Sequence, residues 1–228
     1  MNKQDVLNQI KGGLVVSCQA LEEEPLHSSF IMGKMALSAA MGGAVGIRAN
    51  SVSDIKVMKE SVDLPIIGII KRDFDDSPVR ITPTVEEIES LIEIGVEIIA
   101  TDATLRTRTG GVSLEEFFVP LRKKYPDQLF MADCATFEEC VNAKRLGFDI
   151  VSTTLRGYTE NTQGFAIPDF DLLKKLVNEI DAPVIAEGGI WSPEQLRQAM
   201  DCGVWAAVVG TAITRPMDIT KRYVAALK

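Results

Sequence analysis

The stretch Pro65–Ile70 (PIIGII) is a short apolar run that ends directly at Lys71. It is one of eight such runs in the 228-residue chain; the others are Gly13–Cys18, Ala44–Ile47, Val96–Ala100, Leu129–Ala132, Ile150–Thr153, Pro183–Ala186 and Ala206–Val209. The runs are continuously apolar rather than alternating with polar residues, which is typical of parallel strands covered on both faces. The sequence therefore predicts eight buried parallel strands.

Amphipathic segments with helix-start signals lie between the runs. A capping-box pattern, Ser or Thr followed three residues later by Glu or Gln, occurs at Thr84–Glu87, Ser113–Glu116, Thr136–Glu139 and Ser192–Gln195. Glycines suited to a helix end at positive φ precede four of the strands, at Gly43, Gly95, Gly147 and Gly203. Eight strand–helix alternations predict a single (β/α)8 TIM-barrel domain over residues 1–228. An open doubly wound sheet is disfavoured because no G-x-G-x-x-G motif follows the first run.

The composition is that of an ordinary soluble globular protein, with 46% hydrophobic and 25% charged residues. The net charge of −8 disfavours binding to nucleic acid. The four cysteines form no C-x-x-C pair and His27 is the one histidine, so we predict no metal site and no Ser-His-Asp or Cys-His mechanism. Residues 1–13 lack the apolar core of a signal peptide, and no run approaches a membrane span. We therefore expect a cytoplasmic protein without a membrane or nucleic-acid partner.

Polar residues at the carboxyl ends of the predicted strands mark the candidate active site, because barrels of this type carry their sites there. Lys71 directly follows a buried strand, where burial or a neighbouring cation such as Arg48 lowers the pKa of a lysine and makes it a base or nucleophile. Glu187 also follows a buried strand, and a lysine and a glutamate facing one mouth suit proton transfer at carbon. We predict that both are catalytic. The alternatives are structural: Lys71 marks where the strand meets water, and Glu187 is a solvated carboxylate or part of an orienting ion pair.

Two glycine-containing loops follow the seventh and eighth runs. In many barrels these loops hold a phosphate through backbone N–H groups, and glycine permits the close approach. We predict that the phosphate-binding residues are Gly188, Gly189, Gly210 and Thr211. Arg215 follows within reach of a dianion. The alternative is that the glycines only form tight turns. For Arg48, stabilisation of an oxyanion and pairing with an acid such as Glu187 are both open.

Eight motifs along the chain carry a resemblance to a known family. The chain resembles the N-acetylmannosamine-6-phosphate 2-epimerases of sialic acid catabolism. The motifs are VVSCQAL (15–21), PLHSSF (25–30), AVGIR (44–48), IGIIKR (67–72), MAD (131–133), TTLRGYT (153–159), IAEG (185–188) and AITR (212–215). They extend from the first strand to the last loop and are specific as a set.

The resemblance implies a cofactor-free isomerase on a phosphate-binding barrel, acting in amino sugar metabolism. It would interconvert N-acetylmannosamine 6-phosphate and N-acetylglucosamine 6-phosphate. On this resemblance Lys71 is the proton-transfer residue, and Glu187 matches the glutamate of the A-E-G motif. The motifs also predict a set of substrate-binding residues: Gln19, Arg48, Asp133 and Arg215. Many members carry a polar or basic residue after E-G, whereas Gly189 stands here, which leaves the side-chain contribution of that loop open.

The chemistry of epimerisation at C2 fits the two candidate catalytic residues. Opening of the sugar ring puts an aldehyde at C1 and makes the C2 proton removable. Our hypothesis is that Lys71 moves this proton, Glu187 assists ring opening or oxygen protonation, and Arg48 stabilises the developing negative charge. Whether Lys71 serves both faces of C2, or Lys71 and Glu187 serve one each, is open.

Two other functions fit parts of this pattern. A phosphosugar lyase or aldolase would use Lys71 to form a Schiff base. A non-catalytic phosphosugar-binding barrel would need the phosphate loops without the Lys–Glu pair. In each case the partner is a small phosphosugar, and a homodimer is compatible with such a small barrel.

Overall fold

Eight strands close into one parallel barrel in chain order in the computed structural model, which describes residues 2–227. The strands are β1 (Leu14–Cys18), β2 (Gly46–Asn50), β3 (Ile66–Ile69), β4 (Ile98–Asp102), β5 (Leu129–Asp133), β6 (Ile150–Ser152), β7 (Val184–Glu187) and β8 (Ala206–Val209). The barrel closes where β8 pairs with β1. The predicted (β/α)8 barrel is confirmed, although β2 and β4 begin two residues later than the apolar runs that predicted them.

Helices form the outer layer of the barrel. Within the described range they are α1 (Lys3–Ile10), α2 (Ser29–Met41), α3 (Val52–Ser61), α4 (Val85–Glu93), α5 (Leu114–Lys124), α6 (Phe137–Leu146), α7 (Phe170–Glu179), α8 (Pro193–Asp201), α9 (Thr211–Thr214) and α10 (Pro216–Ala225). Helices α2 to α8 each follow one strand, and α9 and α10 follow β8. No helix in residues 2–227 is both long and apolar enough to cross a membrane.

Helices begin at the four predicted starts, with two differences in hydrogen bonding. At Thr84 the backbone N–H and the hydroxyl both donate to Glu87 Oε2, and within residues 2–227 the hydroxyl accepts no N–H. At Ser113 and Thr136 each hydroxyl accepts the N–H of the glutamate three residues on, which reaches back to the cap backbone. Ser192 also caps its helix, but the side chain of Gln195 accepts the N–H of Trp191 at 2.8 Å instead of that of Ser192. Local start signals therefore place the helices correctly.

Helix α1 closes the end of the barrel opposite the strands' carboxyl ends. Val6 and Ile10 are buried in one apolar cluster with residues of the barrel interior such as Val15 and Ile98. The indole N–H of Trp205, which precedes β8, donates to the carbonyl oxygen of Leu7 at 2.8 Å. The apolar-run pattern does not predict this helix. It fills this end of the barrel with hydrocarbon, whereas the polar side chains of the site lie at the carboxyl ends of the strands.

Candidate active site

The carboxyl ends of the strands surround a cavity of about 260 Å³. Eight of the ten predicted site residues line it: Gln19, Lys71, Glu187, Gly188, Gly189, Gly210, Thr211 and Arg215. The other two, Arg48 and Asp133, are fully buried behind Glu187. The structure therefore brings the predicted set together, but places Arg48 and Asp133 outside the cavity lining.

Arg48 forms the centre of a buried ion cluster. Its Nη2 atom donates to Asp133 Oδ2 at 2.6 Å, and its Nη1 donates to Asp133 Oδ1 at 3.1 Å and to Glu187 Oε2 at 2.9 Å. Burial acts to lower the pKa of Arg48, but Asp133 and Glu187 outweigh it and hold that pKa above its ordinary value. Of the two roles left open for Arg48, pairing with acids is the one present in this structure.

Glu187 ends β7 with its carboxylate between the ion cluster and the cavity. Its side chain is 14% exposed. Burial, with a contribution from the neighbouring Asp133, raises the pKa of Glu187 to about 7, against the opposing effect of Arg48. A carboxyl group with such a pKa exchanges a proton near neutral pH, as a general acid or base requires.

Lys71 follows β3 and reaches the same cavity. Its backbone N–H donates to Asn50 Oδ1 at 2.8 Å, which fixes the chain at this turn. Burial, together with the nearby cations Arg215 and Arg48, lowers the pKa of Lys71 to about 8, against the opposing effect of Glu187. Within residues 2–227 no carboxylate forms an ion pair with Lys71. The structure thus places a lysine that loses its proton readily in a cavity lined by Glu187.

The glycine loops after β7 and β8 form another side of the cavity. Gly189 has φ +72°, and a Cβ there would lie 2.7 Å from the carbonyl carbon of Ile167. Gly188, with φ +103°, is also in the region that favours glycine. Gly210 approaches Ser17 so closely that a Cβ would meet the Ser17 side chain at 3.1 Å. The packing therefore requires glycine at position 189.

Arg215 lies between α9 and α10 and is held by an acid of the β1–α2 loop. Its Nε is 3.3 Å from Glu24 Oε1, and the other carboxylate oxygen of Glu24 accepts the N–H of Leu21 at 2.8 Å. The side chains of Arg215 and Glu24 are 26% and 13% exposed. A guanidinium has five N–H donors. Contact through Nε leaves the two terminal NH2 groups of Arg215 available to an anion in the cavity.

Several cavity residues have no role assigned by the sequence analysis: Ser17, Thr154, Tyr158, Ile190, Trp191, Val208, Val209 and Thr214. Thr154 lies two residues after β6, so the strand-end rule that selects Lys71 also points to it. No comparable signal marks Trp191, because its place beside the cavity depends on the turn made by Gly188 and Gly189.

The fold and the site together define a (β/α)8-barrel protein with an ionisable lysine and glutamate facing one glycine-lined cavity. The chain belongs to the NanE family, whose model carries the description "Putative N-acetylmannosamine-6-phosphate epimerase" and matches residues 32–228.

Relatives of similar length support this membership. Proteins named "Putative N-acetylmannosamine-6-phosphate 2-epimerase" from Caldanaerobacter subterraneus and Borreliella afzelii are 49% and 54% identical to the chain. The first alignment covers 98% of this chain and 94% of the relative, and the second covers 96% of each.

Two solved structures with the same fold also match the chain, and the first of them supports membership of the family. The N-acetylmannosamine-6-phosphate 2-epimerase from Clostridium perfringens superposes with a TM-score of 0.92 at 50% identity, covering 96% of this chain and 95% of that one. Thiamine phosphate pyrophosphorylase from Pyrococcus furiosus superposes with a TM-score of 0.63 at 16% identity, over 94% and 92% of the two chains, which shows a shared fold alone.

Proposed function

We propose that this protein is a cofactor-independent isomerase that interconverts N-acetylmannosamine 6-phosphate and N-acetylglucosamine 6-phosphate. The observation that carries the proposal is the cavity that Lys71 and Glu187 share with the glycine loops after β7 and β8. The relatives whose names include this activity are about 50% identical to the chain over nearly its whole length. The identity of the substrate rests on those relatives, and the chemistry rests on the cavity.

The phosphate group is bound by the loops after β7 and β8. Backbone N–H groups of Gly188, Gly189, Gly210 and Thr211 approach the phosphate, and the packing of Ile167 independently keeps position 189 free of a side chain. The terminal NH2 groups of Arg215 supply a positive charge that matches the dianion. Gln19, whose buried Oε1 has no hydrogen-bond partner among residues 2–227, accepts a hydroxyl or amide proton of the sugar.

Proton transfer at C2 is assigned to Lys71. A pKa of about 8 leaves a usable fraction of neutral amine near neutral pH, so the group can both take and return a proton. Glu187 assists ring opening or protonation of the sugar oxygen. Arg48 and Asp133 act through Glu187, because they are buried behind it and fix its carboxylate.

Product analysis by proton NMR in D2O tests the proposed function. With N-acetylmannosamine 6-phosphate as substrate, we expect the gluco epimer to appear with deuterium at C2. Unchanged sugar with a fully protonated C2 would contradict the proposal.

A lyase or aldolase is the second candidate, because the lowered pKa of Lys71 also suits a Schiff-base nucleophile. Borohydride reduction in the presence of substrate separates the two. A covalent sugar adduct on Lys71 would favour the lyase, whereas no adduct together with C2 exchange favours the epimerase.

We propose further that the protein acts in the cytoplasm on a free small molecule, without nucleic acid or membrane, and forms a homodimer. The net charge of −8 supports the absence of a nucleic-acid partner. Light scattering coupled to size-exclusion chromatography tests the homodimer: a dimer has twice the 24.9 kDa mass of one chain, and a mass of 24.9 kDa at working concentration would exclude it.

A further inference from the structure

The hydroxyl of Thr154 lies between two carboxylates of the buried ion cluster. Thr154 Oγ1 is 2.7 Å from Asp133 Oδ1 and 3.1 Å from Glu187 Oε2, both within hydrogen-bond distance. On its other side it is 2.8 Å from the hydroxyl of Ser152. Thr154 therefore has three polar neighbours and a single proton to donate.

The guanidinium N–H groups of Arg48 that contact these carboxylates are already engaged. Arg48 Nη1 carries two protons, and its contacts with Asp133 Oδ1 and Glu187 Oε2 use both. Arg48 Nη2 serves the second oxygen of Asp133. Among the hydrogen bonds of residues 2–227, the one proton that can move from one carboxylate to the other without breaking the ion pairs is the hydroxyl proton of Thr154.

Two hydrogen-bond patterns satisfy this arrangement. When Glu187 is ionised, Ser152 donates to Thr154 and Thr154 donates to Glu187 Oε2. When Glu187 carries a proton on Oε2, Ser152 still donates to Thr154, the proton of Glu187 is donated to Thr154 Oγ1, and Thr154 donates to Asp133 Oδ1. The change between the patterns needs only a rotation of the Thr154 hydroxyl and the arrival of one proton at Glu187.

We propose that Thr154 is a positioning residue whose hydroxyl turns between Asp133 and Glu187, so that Glu187 has a hydrogen-bond partner in both of its protonation states. This proposal rests on the proposed function in assigning Glu187 an acid–base role, but the geometry of Thr154 does not depend on the substrate. Without the hydroxyl, the ionised carboxylate of Glu187 loses a donor and the protonated carboxyl loses an acceptor. The first loss is the larger, because a hydrogen bond to a charged oxygen is about twice as strong as one between neutral groups, so the ionised form is destabilised more.

The charged and titratable groups that face Glu187 come from four elements. They are Arg48 from β2, Lys71 after β3, Asp133 from β5 and Tyr158 in the loop after β6. Arg48, Lys71 and the Thr154 hydroxyl act to lower the pKa of Glu187, whereas Asp133 raises it. Replacing Thr154 by valine removes one of the contributions that lower the pKa of Glu187 and leaves every charged group in place.

The test measures the titration of Glu187 in the intact, substrate-free protein. Selective 13C labelling of glutamate carboxyl groups gives a resonance for Glu187, assigned by its loss in Glu187→Gln. In Thr154→Val we expect the titration midpoint to rise by about one pH unit, the size of effect produced by one hydrogen bond to a carboxylate. In Thr154→Ser, which keeps the hydroxyl, the midpoint stays within a few tenths of a unit of the native value.

Thr104→Val is the matched control. Thr104 is also a buried threonine whose hydroxyl donates to an aspartate, Asp102, but it does not contact Glu187. Its replacement leaves the titration of Glu187 unchanged. The proposal would be overturned by a Thr154→Val protein that has a native circular dichroism spectrum and the native titration midpoint of Glu187. It would also be overturned if Thr154→Ser raised that midpoint as much as Thr154→Val does.

Kinetics give the second measurement. The acid limb of the kcat/KM profile moves to higher pH in Thr154→Val by the same amount as the NMR midpoint, and kcat falls more than KM changes. If the native protein turns over no N-acetylmannosamine 6-phosphate, the proposed function fails, while the NMR titration still decides the role of Thr154. If the native enzyme is active and Thr154→Val has the native pH profile, the positioning role of Thr154 fails while the proposed function stands.

Discussion

Arg48 sets the charge of the site from a position that solvent does not reach. It meets two carboxylates, so the buried cluster has a net charge of −1 when Glu187 is ionised and 0 when Glu187 holds a proton. Burial favours the neutral cluster and raises the pKa of Glu187. Lys71 experiences the opposite effect, because the cations around it and its own burial favour the neutral amine. The two pKa values are thereby brought close together.

The pH dependence of kcat/KM follows from these two shifts. The pKa of Glu187 is about 7 and that of Lys71 is about 8, so the two groups together hold a single proton only between about pH 7 and 8. At lower pH both groups are protonated, and at higher pH neither is. We expect a bell-shaped profile with limbs at about pH 7 and 8. The control is Glu187→Gln, which removes the acid limb from the residual activity. A flat profile between about pH 6 and 9 would contradict this assignment.

At the scale of elements, the site depends on close packing at glycines in the loops after β7 and β8. The loop after β7 packs against Ile167 in the loop after β6, and the loop after β8 packs against Ser17 of β1. Thr214 adds a hydrogen bond from its hydroxyl to the carbonyl oxygen of Ser17 at 2.7 Å. The shape of the cavity is therefore set by contacts between consecutive strand-end loops.

Gly189→Ala tests this packing. The new methyl group would lie 2.7 Å from the Ile167 backbone on a residue at φ +72°, so we expect the free energy of unfolding to fall by about 2–3 kcal/mol and KM for the phosphosugar to rise. Gly12→Ala is the matched control, since Gly12 has the same φ of +72° and open space around its Cβ position. Gly12→Ala lowers the free energy of unfolding by the backbone strain alone, about 1–2 kcal/mol. Equal effects of the two substitutions on stability and on KM would contradict the account.

The elements were predictable where the signal is local. A run such as Pro65–Ile70 is apolar throughout because both faces of its strand are covered, and the cap at Ser113 depends on residues within one turn. The pairing of Arg48 with Asp133 is different, because the two residues are 85 positions apart and meet only when the barrel closes. The place of Thr154 between two carboxylates depends on the same closure, which no local pattern specifies.

At the scale of the whole molecule, helix α1 completes the core. Its buried face supplies Val6 and Ile10 to the barrel interior, while its exposed face is polar, and eight residues carry too weak a periodic signal to predict that role. Without α1, the end of the barrel opposite the carboxyl ends of the strands would be open. The contribution of α1 is therefore to stability and not to the chemistry at the other end.

Ile10→Ala tests that contribution. Ile10 is fully buried, so its truncation lowers the free energy of unfolding by about 3 kcal/mol while kcat of the folded protein stays native. Leu105→Ala, at a side chain that is 67% exposed, is the control and costs less than about 0.5 kcal/mol. Urea denaturation measures both. An Ile10→Ala protein as stable as Leu105→Ala would exclude a core role for α1.

The central claim is that Lys71 moves the C2 proton of the phosphosugar, and deuterium incorporation tests it most directly. The native protein and Lys71→Met are each incubated with N-acetylmannosamine 6-phosphate in D2O, and the C2 proton signal is followed by NMR. Binding of the sugar, measured separately by calorimetry, shows that the variant site is intact. We expect the exchange rate of the variant to fall by about 100- to 10,000-fold. Exchange at C2 by Lys71→Met at close to the native rate would contradict the account.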